Sequence, residues 1–481
     1  MLLLERANEL LAENKLKEAE FMFKAVLKEV PENGPALFGL GRIAMRLEQY
    51  DNAIYFLKRA CNHLPKMLEP LFALADAFLA VNSAIDAKTV LEYTLSIAKH
   101  NAQAHYYLGQ FYLNHGFIEQ AKDTFESGLE CPKGPVSAFM LFELAQLGDK
   151  AQLPGYIDQL KALANEYDNK RLAIVIEYAI ANCHHRLDDH KTAFIHFKAA
   201  NELQYSLCHF KTQDMKPFIE SIKAVCDKNF FQAPHDKVSA TFTPVFILGL
   251  PRTGSTLLEQ MLIQHEKIDS LGENTAISNK VVQFLSKRVE APFPKCLQRL
   301  STSVLDYGRE IYTNEIRNAR IDAPYVINKL PANFQSIGVI NKLFPDARFI
   351  HVKREFMANA WSVFSNYFEQ DEPYFCNAQD YKLYAEMEND LMAHFGLYLS
   401  RQIHTVNYED LLIDPQKVIK GTLNFLDQHY TPECLNYYKG KRLVHTLSKA
   451  QVRKPLTKAP LESWKKYKKD FEALMTPLTP S

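Results

Sequence analysis

Three absences bound this chain. The first is any excess of charge. Lys+Arg and Asp+Glu number 56 each in 481 residues, a formal net charge of +0. That excludes the basic faces of nucleic-acid and general membrane-surface binders but leaves room for a local anion site. The second is a long apolar run. Leu2-Leu3-Leu4 is followed at once by Glu5 and Arg6, too short for a signal peptide. No stretch approaches the roughly 20 apolar residues of a membrane span, so the expected location is cytoplasmic. The third is paired cysteine. The eight cysteines, at 61, 131, 183, 208, 226, 296, 376 and 434, form no C-x-x-C pair and no Cys/His cluster of zinc spacing. Free thiols in a reducing compartment account for them, and no metal is expected. His184 and His185 beside Cys183 point in different directions on a helix and read as surface residues. What remains, 47% hydrophobic and 23% charged, is ordinary globular composition, with length for two or three domains.

A period of 34 residues runs through the first half. It separates Leu40-Gly41, Leu74-Ala75 and Leu108-Gly109, and also Ala19, Ala53, Ala87 and Ala121, while Pro31 and Pro65 close two units. Each unit carries two amphipathic helical patterns, in the second over 36–47 and 52–63. Gly or Ala stands where helices cross closely, and Phe38, Leu40, Tyr50 and Ile54 fill the space around it. Such pairs bury their apolar stripes only by stacking on one another. The pattern returns around Tyr178, Ala181, Ala193, Phe197 and Ala199-Ala200, after a degenerate helical stretch over 135–170. The array therefore spans 1–201, a helical connector 202–240, with a helix over 210–231, and a second domain 241–475.

The second domain opens on a buried strand over 244–249, then Gly249-Leu250-Pro251-Arg252-Thr253-Gly254-Ser255-Thr256, then an apolar helix over 257–265. Strand, tight glycine loop and helix N-terminus make an anion cradle of inward N–H groups and dipole. The glycine spacing is that of the nucleotide-triphosphatase loop G-x-x-x-x-G-K-S/T, with Thr256 at the hydroxyl position. The lysine position holds Ser255, which argues against ATP hydrolysis. Arg252, inside the loop, can grip a phosphate or sulfate with two hydrogen bonds.

These residues carry resemblances to two known families. Leu40, Gly41, Tyr50, Ala53, Ala60 and Pro65 match positions of the tetratricopeptide repeat. Residues 251–256 resemble the P-R-S-G-T-T loop of sulfotransferases, which binds the phosphosulfate end of 3'-phosphoadenylyl sulfate. A strand over 347–353 ending before Arg354, with Ser362 eight residues on in a helix over 355–368, resembles that family's 3'-phosphate site. Ile327–Asn333 resembles its lysine-bearing segment, here with Lys329. Tyr408-Glu409-Asp410, at the end of a strand from 405, resembles a segment whose tyrosine packs near adenine. Ser448, Lys454 and Trp464 resemble the basic loop closing over the nucleotide. One departure is Ser463, where the family often has Lys or Arg, with Lys465 or Lys466 as replacement. With the repeats in front, the whole is similar to tetratricopeptide-repeat sulfotransferases, its catalytic half to tyrosylprotein sulfotransferases.

The resemblance implies an α-helical repeat solenoid followed by an α/β three-layer P-loop-type domain with a mostly parallel sheet. It also implies sulfuryl transfer to a hydroxyl acceptor. Arg252, Thr253, Gly254, Ser255 and Thr256 would hold the 5'-phosphosulfate, and Arg354 and Ser362 the 3'-phosphate. Tyr408, Ser448 and Lys454 would complete the nucleotide site, and Lys329 would neutralise charge on the leaving oxygen. The acceptor's base is Glu273, matching the tyrosylprotein enzymes' glutamate, or His351, since small-molecule sulfotransferases use a histidine. Protein tyrosine, glycan, lipid and small phenol all remain open as acceptors, with a peptide or protein in the repeat groove one class. A P-loop phosphotransferase and a non-catalytic repeat scaffold are the competing readings.

Overall fold

The computed structural model describes residues 2–233, 241–439, 456–457 and 459–476. The chain divides into two compact units, Met1–Met140 and Leu141–Ser481. In the first, helices pair as Leu2–Ala12 with Leu16–Glu29, Gly34–Arg46 with Tyr50–His63, Glu69–Ala80 with Ala84–Ile97, and Ala102–Asn114 with Ile118–Leu129. The period of 34 is also a period of turns. Asn14, Glu48, Asn82 and Gly116 take left-handed φ values of 59°, 56°, 57° and 81°. Each reversal lets the next N–H reach back to an orphan helix carbonyl: Lys15 to Leu10, Gln49 to Ala44, Ser83 to Phe78 and Phe117 to Tyr112, at 2.8–2.9 Å. Packing repeats likewise. Ala19, Ala53, Ala87 and Ala121 are buried, as are Phe23, Leu57, Leu91 and Phe125. The small residue at each crossing is obligatory. A Cβ on Gly41 would stand 2.6 Å from Leu57 Cδ2, and one on Gly109 2.3 Å from Phe125 Cε1.

The second unit contains a further pair of the same kind, Lys170–Arg186 and His190–Tyr205, turned by left-handed Asp188. Tyr178, Ala193 and Phe197 bury themselves with Trp361, Phe364, Tyr467 and Phe471. This pair, read from sequence as the end of the array, thus packs within the second unit. Its two adjacent histidines are not free surface residues. His185 Nδ1 is hydrogen-bonded to the Tyr467 hydroxyl at 2.6 Å, and His184 Nδ1 lies 3.2 Å from Asp189 Oδ2. The helix expected over 210–231 is broken into a 3-10 turn Thr212–Met215 and helices Lys216–Val225 and Lys228–Gln232. Asp227 stops propagation by capping the last piece, accepting from Phe230 N at 2.8 Å. Ile219, Ile222, Val225 and Phe230 join the core on one face of the sheet.

That sheet has strands β1 (Thr243–Gly249), β2 (Ile268–Ser270), β3 (Tyr325–Lys329), β4 (Arg348–Lys353) and β5 (Ile403–Asn407). Their order is β2-β3-β1-β4-β5, and every pairing is parallel. Alternation sends Phe246, Leu248 and Phe349 to one core with helix Ala378–Leu399. It sends Val245, Ile247, Ile350 and Val352 to the other with helices Ser255–Leu262 and Pro415–Phe425. Helices cover both faces, as an all-parallel sheet requires. The connection leaving β1 runs to the β2 side, and that leaving β4 runs to β5. The carboxyl ends of β1 and β4 therefore flank the switch point where such sheets hold ligands. Among the described residues no helix is long and apolar enough to cross a membrane.

Substituting Gly109→Ala is expected to overpack the first unit at a cost of about 1–3 kcal/mol. Hydrogen exchange of the whole chain checks this: protection should fall in Ala102–Asn114 and Ile118–Leu129 and stay unchanged in β1–β5.

Candidate active site at the carboxyl ends of the central strands

The loop after β1 is shaped by three residues with positive φ: Gly249 at 136°, Arg252 at 63° and Gly254 at 93°. Gly249 permits close approach of β4, since a Cβ there would lie 2.6 Å from the Val352 carbonyl oxygen. A Cβ on Gly254 would lie 2.3 Å from Tyr408 Cδ2. Gly254 leads into helix Ser255–Leu262, whose first-turn Ser255 and Thr256 are buried along with Thr253. The Thr253 hydroxyl donates to the Leu250 carbonyl at 2.9 Å, so it braces the loop from within. The N-terminal N–H groups and dipole of this helix face the end of β1.

The residues after β4 meet this loop directly. Arg252 Nε donates to Ser362 Oγ at 3.3 Å, and Arg354 Nη1 donates to the Arg252 carbonyl at 3.1 Å. The Arg354 guanidinium also lies 4.8 Å above the Tyr408 ring, a cation–π contact. Arg252, Arg354, Ser362 and Tyr408, far apart in sequence, thus form one patch. Its electrostatics are unfavourable for the protein alone. Burial, with the neighbouring Arg354, pulls Arg252 down to about 10. Burial also lowers Arg354, against the opposing influence of Tyr408 and Glu409. Two half-buried guanidiniums held close together are what a multiply charged anion would relieve.

On the other side of β1, β2 and β3 place the second group. Beyond β2, Lys329 N donates to the Gly272 carbonyl at 2.9 Å, and Gly272 N donates to Ser270 Oγ at 2.9 Å. Ser270 Oγ itself donates to Glu259 Oε1 at 2.5 Å. This pinned turn sets Glu273 against Lys329, whose ammonium donates to Glu273 Oε1. The Lys329 side chain is 1% exposed and that of Glu273 41%, so the carboxylate keeps a face to solvent. His351 is otherwise engaged: its Nε2 is hydrogen-bonded to Glu388 Oε1 at 2.6 Å, and both residues are buried.

Tyr408 does not end a strand as expected. It opens helix Tyr408–Ile413, because Asn407 Nδ2 bridges to Asp410 Oδ2 at 3.0 Å and turns the chain. Ser448 and Lys454 lie outside the described residues. Lys465 pairs with Glu462 at 2.6 Å, and Lys466 lies 3.9 Å from Asp188. Among the described residues no group of three or more His, Cys, Asp or Glu is placed to hold a metal. Sequence reasoning missed Asn359, Tyr381 and Glu388. Asn359 was detectable as a polar residue between Ala358 and Ala360 in an apolar helix.

Residues 244–432 match the family model of the sulfotransferase family, and residues 10–66 that of the tetratricopeptide repeat. An uncharacterized protein of Aquifex aeolicus is 28% identical over 290 residues, 58% of this chain and 38% of that protein. Protein-tyrosine sulfotransferase 1 of Danio rerio is 24% identical over 269 residues, 53% of this chain and 76% of that enzyme. The sulfotransferase domain of the Synechococcus PCC 7002 olefin synthase aligns at 22% identity and a TM-score of 0.34, covering 51% of this chain and 100% of that one.

Gly254→Ala is expected to abolish anion binding at the loop while the fold persists, because the added methyl needs both a disfavoured φ and the space of the Tyr408 ring. Thermal shift with inorganic pyrophosphate checks it: the unsubstituted protein should gain stability and the variant none.

Proposed function

We propose, from the match of residues 244–432 to the sulfotransferase family model and of residues 10–66 to that of the tetratricopeptide repeat, that this chain transfers the sulfuryl group of 3'-phosphoadenylyl sulfate to a hydroxyl acceptor, with protein tyrosine the favoured acceptor class. The observation that carries the reading is the half-buried Arg252–Arg354 pair, in which Arg354 holds the Arg252 carbonyl and Arg252 reaches Ser362. Few ligands other than a nucleotide with anions at both ends would reward that arrangement. Ser255 at the lysine position of the triphosphatase loop weighs against ATP. The acceptor class rests on the likeness to protein-tyrosine sulfotransferase 1 and on the groove that stacked repeats offer a peptide. Eight free cysteines fit a cytoplasmic setting.

In this reading the acceptor oxygen attacks sulfur in line with the bridging oxygen of the phosphosulfate. The acceptor O–S bond forms, the bridging S–O bond breaks, and its electron pair remains on the nucleotide's 5'-phosphate. Glu273, half-exposed, receives the acceptor's hydroxyl proton. Lys329, buried beside it, neutralises charge growing on the bridging oxygen. Arg252 and the 253–256 backbone orient the phosphosulfate, and Arg354 with Ser362 fixes the 3'-phosphate. The Glu388 hydrogen bond on His351 favours Glu273 over His351 as base.

Glu273→Gln is expected to lower sulfur-35 transfer from labelled donor to tyrosine peptides by about 10²–10⁴-fold. Its affinity for 3'-phosphoadenosine 5'-phosphate should stay within about three-fold; full turnover in the variant would remove Glu273 from the mechanism.

Charge burial supplies a second check. The folded-state pKa of Arg252, about 10, lies below the ordinary value of a guanidinium. The charged form therefore disfavours folding throughout the pH range below about 10, and that penalty lifts only as pH rises through that value. Arg252→Met should raise the melting temperature of the protein alone at pH 7. It should also erase the stabilisation of about 2.7 kcal/mol expected from 3'-phosphoadenosine 5'-phosphate at 100 times its dissociation constant.

A further inference from the structure

The carbonyls of Pro251 and Arg252 are consecutive, and both are held by side chains from beyond β4. Arg354 holds that of Arg252. That of Pro251 accepts from Asn359 Nδ2 at 2.8 Å. Asn359, in helix Phe356–Phe364, is 1% exposed. Its amide oxygen accepts from the hydroxyl of Tyr381, a residue 2% exposed in helix Ala378–Leu399. Burial raises that hydroxyl well above its ordinary range, so it stays protonated and donating. With the oxygen occupied, the Asn359 nitrogen is directed at Pro251.

This matters because of what the loop must do. Successive N–H groups converge on an anion only if the carbonyls between and before them turn away, and a carbonyl turned into a dry interior needs a donor. Arg252 bends the chain here through its left-handed φ of 63°, a conformation an L-residue keeps only when its surroundings enforce it. Arg354 has two tasks, the Arg252 carbonyl and, in the functional reading above, the 3'-phosphate. Asn359 has one. A helix that supplies no residue to the anion patch is in this way connected to it through two hydrogen bonds. The same helix makes a second buried link through Glu388 to His351, whose Cδ2 lies 3.3 Å from where a Gly249 Cβ would stand.

We propose that Asn359, oriented by Tyr381, is a positioning residue of the anion loop: it holds the Pro251 carbonyl so that the 252–256 backbone keeps its binding form, and so sets affinity for the donor nucleotide without touching it. The identity of that nucleotide rests on the functional reading; the tether itself does not.

The test is calorimetric binding of inorganic pyrophosphate and of 3'-phosphoadenosine 5'-phosphate to the whole chain. Asn359→Ala leaves the Pro251 carbonyl without its donor and is expected to weaken both ligands about ten-fold. Asn359→Asp, which sets an acceptor and a negative charge against that carbonyl, should weaken them further. Tyr381→Phe keeps the ring's packing and frees the amide to flip, for a loss of about three-fold; it serves alone if the Asn359 variants do not fold. The Michaelis constant for a tyrosine peptide should be unchanged in each. Leu391→Ala, also buried in helix Ala378–Leu399, lowers stability without touching the tether and should leave both affinities as they were. Unchanged affinity in the Asn359 and Tyr381 variants overturns the proposal, as does an equal loss in Leu391→Ala, which would mean general loosening. Wild-type protein that binds neither ligand overturns the functional reading and this proposal with it.

Discussion

Two guanidinium groups kept close together and partly withdrawn from water are unfavourable for a protein on its own, and much of the second unit is arranged to keep them there. Arg252 is bent into a left-handed conformation, Arg354 is laid across the Tyr408 ring, and the glycines at 249 and 254 remove the side chains that would push the loops apart. The parallel sheet supplies the rigid ends from which both loops depart. The stability given up here is available as binding energy once a polyanion arrives, so a site of this kind trades melting temperature for affinity.

The Glu273–Lys329 pair, on the far side of β1, depends on a different device. No two of its supporting residues Glu259, Ser270, Gly272 and Lys329 are adjacent in sequence, and they converge because β2 pairs with β3. One partner is nearly sealed and the other half-open. That asymmetry divides labour between a cation facing an internal leaving group and a carboxylate facing an incoming hydroxyl.

What was legible in the sequence is what contiguous residues encode. The 34-residue period foretold the small residues at helix crossings, and the strand–loop–helix pattern foretold β1, the 249–254 loop and the helix after it. Arg354 and Ser362 were singled out through the resemblance to the family's 3'-phosphate site, and the fold brings both against Arg252. Three kinds of feature were not readable. Tyr381 and Glu388 act through contacts between elements, and a Tyr or a Glu on a helix carries no signal of its own; Asn359 stood out as a polar residue in an apolar helix, but nothing in the sequence named its partners. The helix expected to run to 368 ends at Phe364; Asn201 takes the Phe364 carbonyl that a longer helix would have used internally, and Gln204 holds the Phe368 carbonyl beyond it. Finally, amphipathic spacing tells a repeat pair that it must be covered, and not by what. Lys170–Arg186 and His190–Tyr205 have the period of the array and the packing partners of the sheet domain.

That last feature bears on how the molecule can be cut. A fragment beginning at 202 or 241, the boundaries that periodicity suggests, would strip Phe194 and Phe197 from Trp361 and Tyr467. It would thereby bare an aromatic wall on the very helix that holds Asn359 and Ser362. An insoluble fragment of that kind would say nothing about chemistry. The division after Met140 sets the final repeat-like pair with the sheet domain, which makes that pair a possession of the sheet domain by physics, whatever its ancestry by pattern.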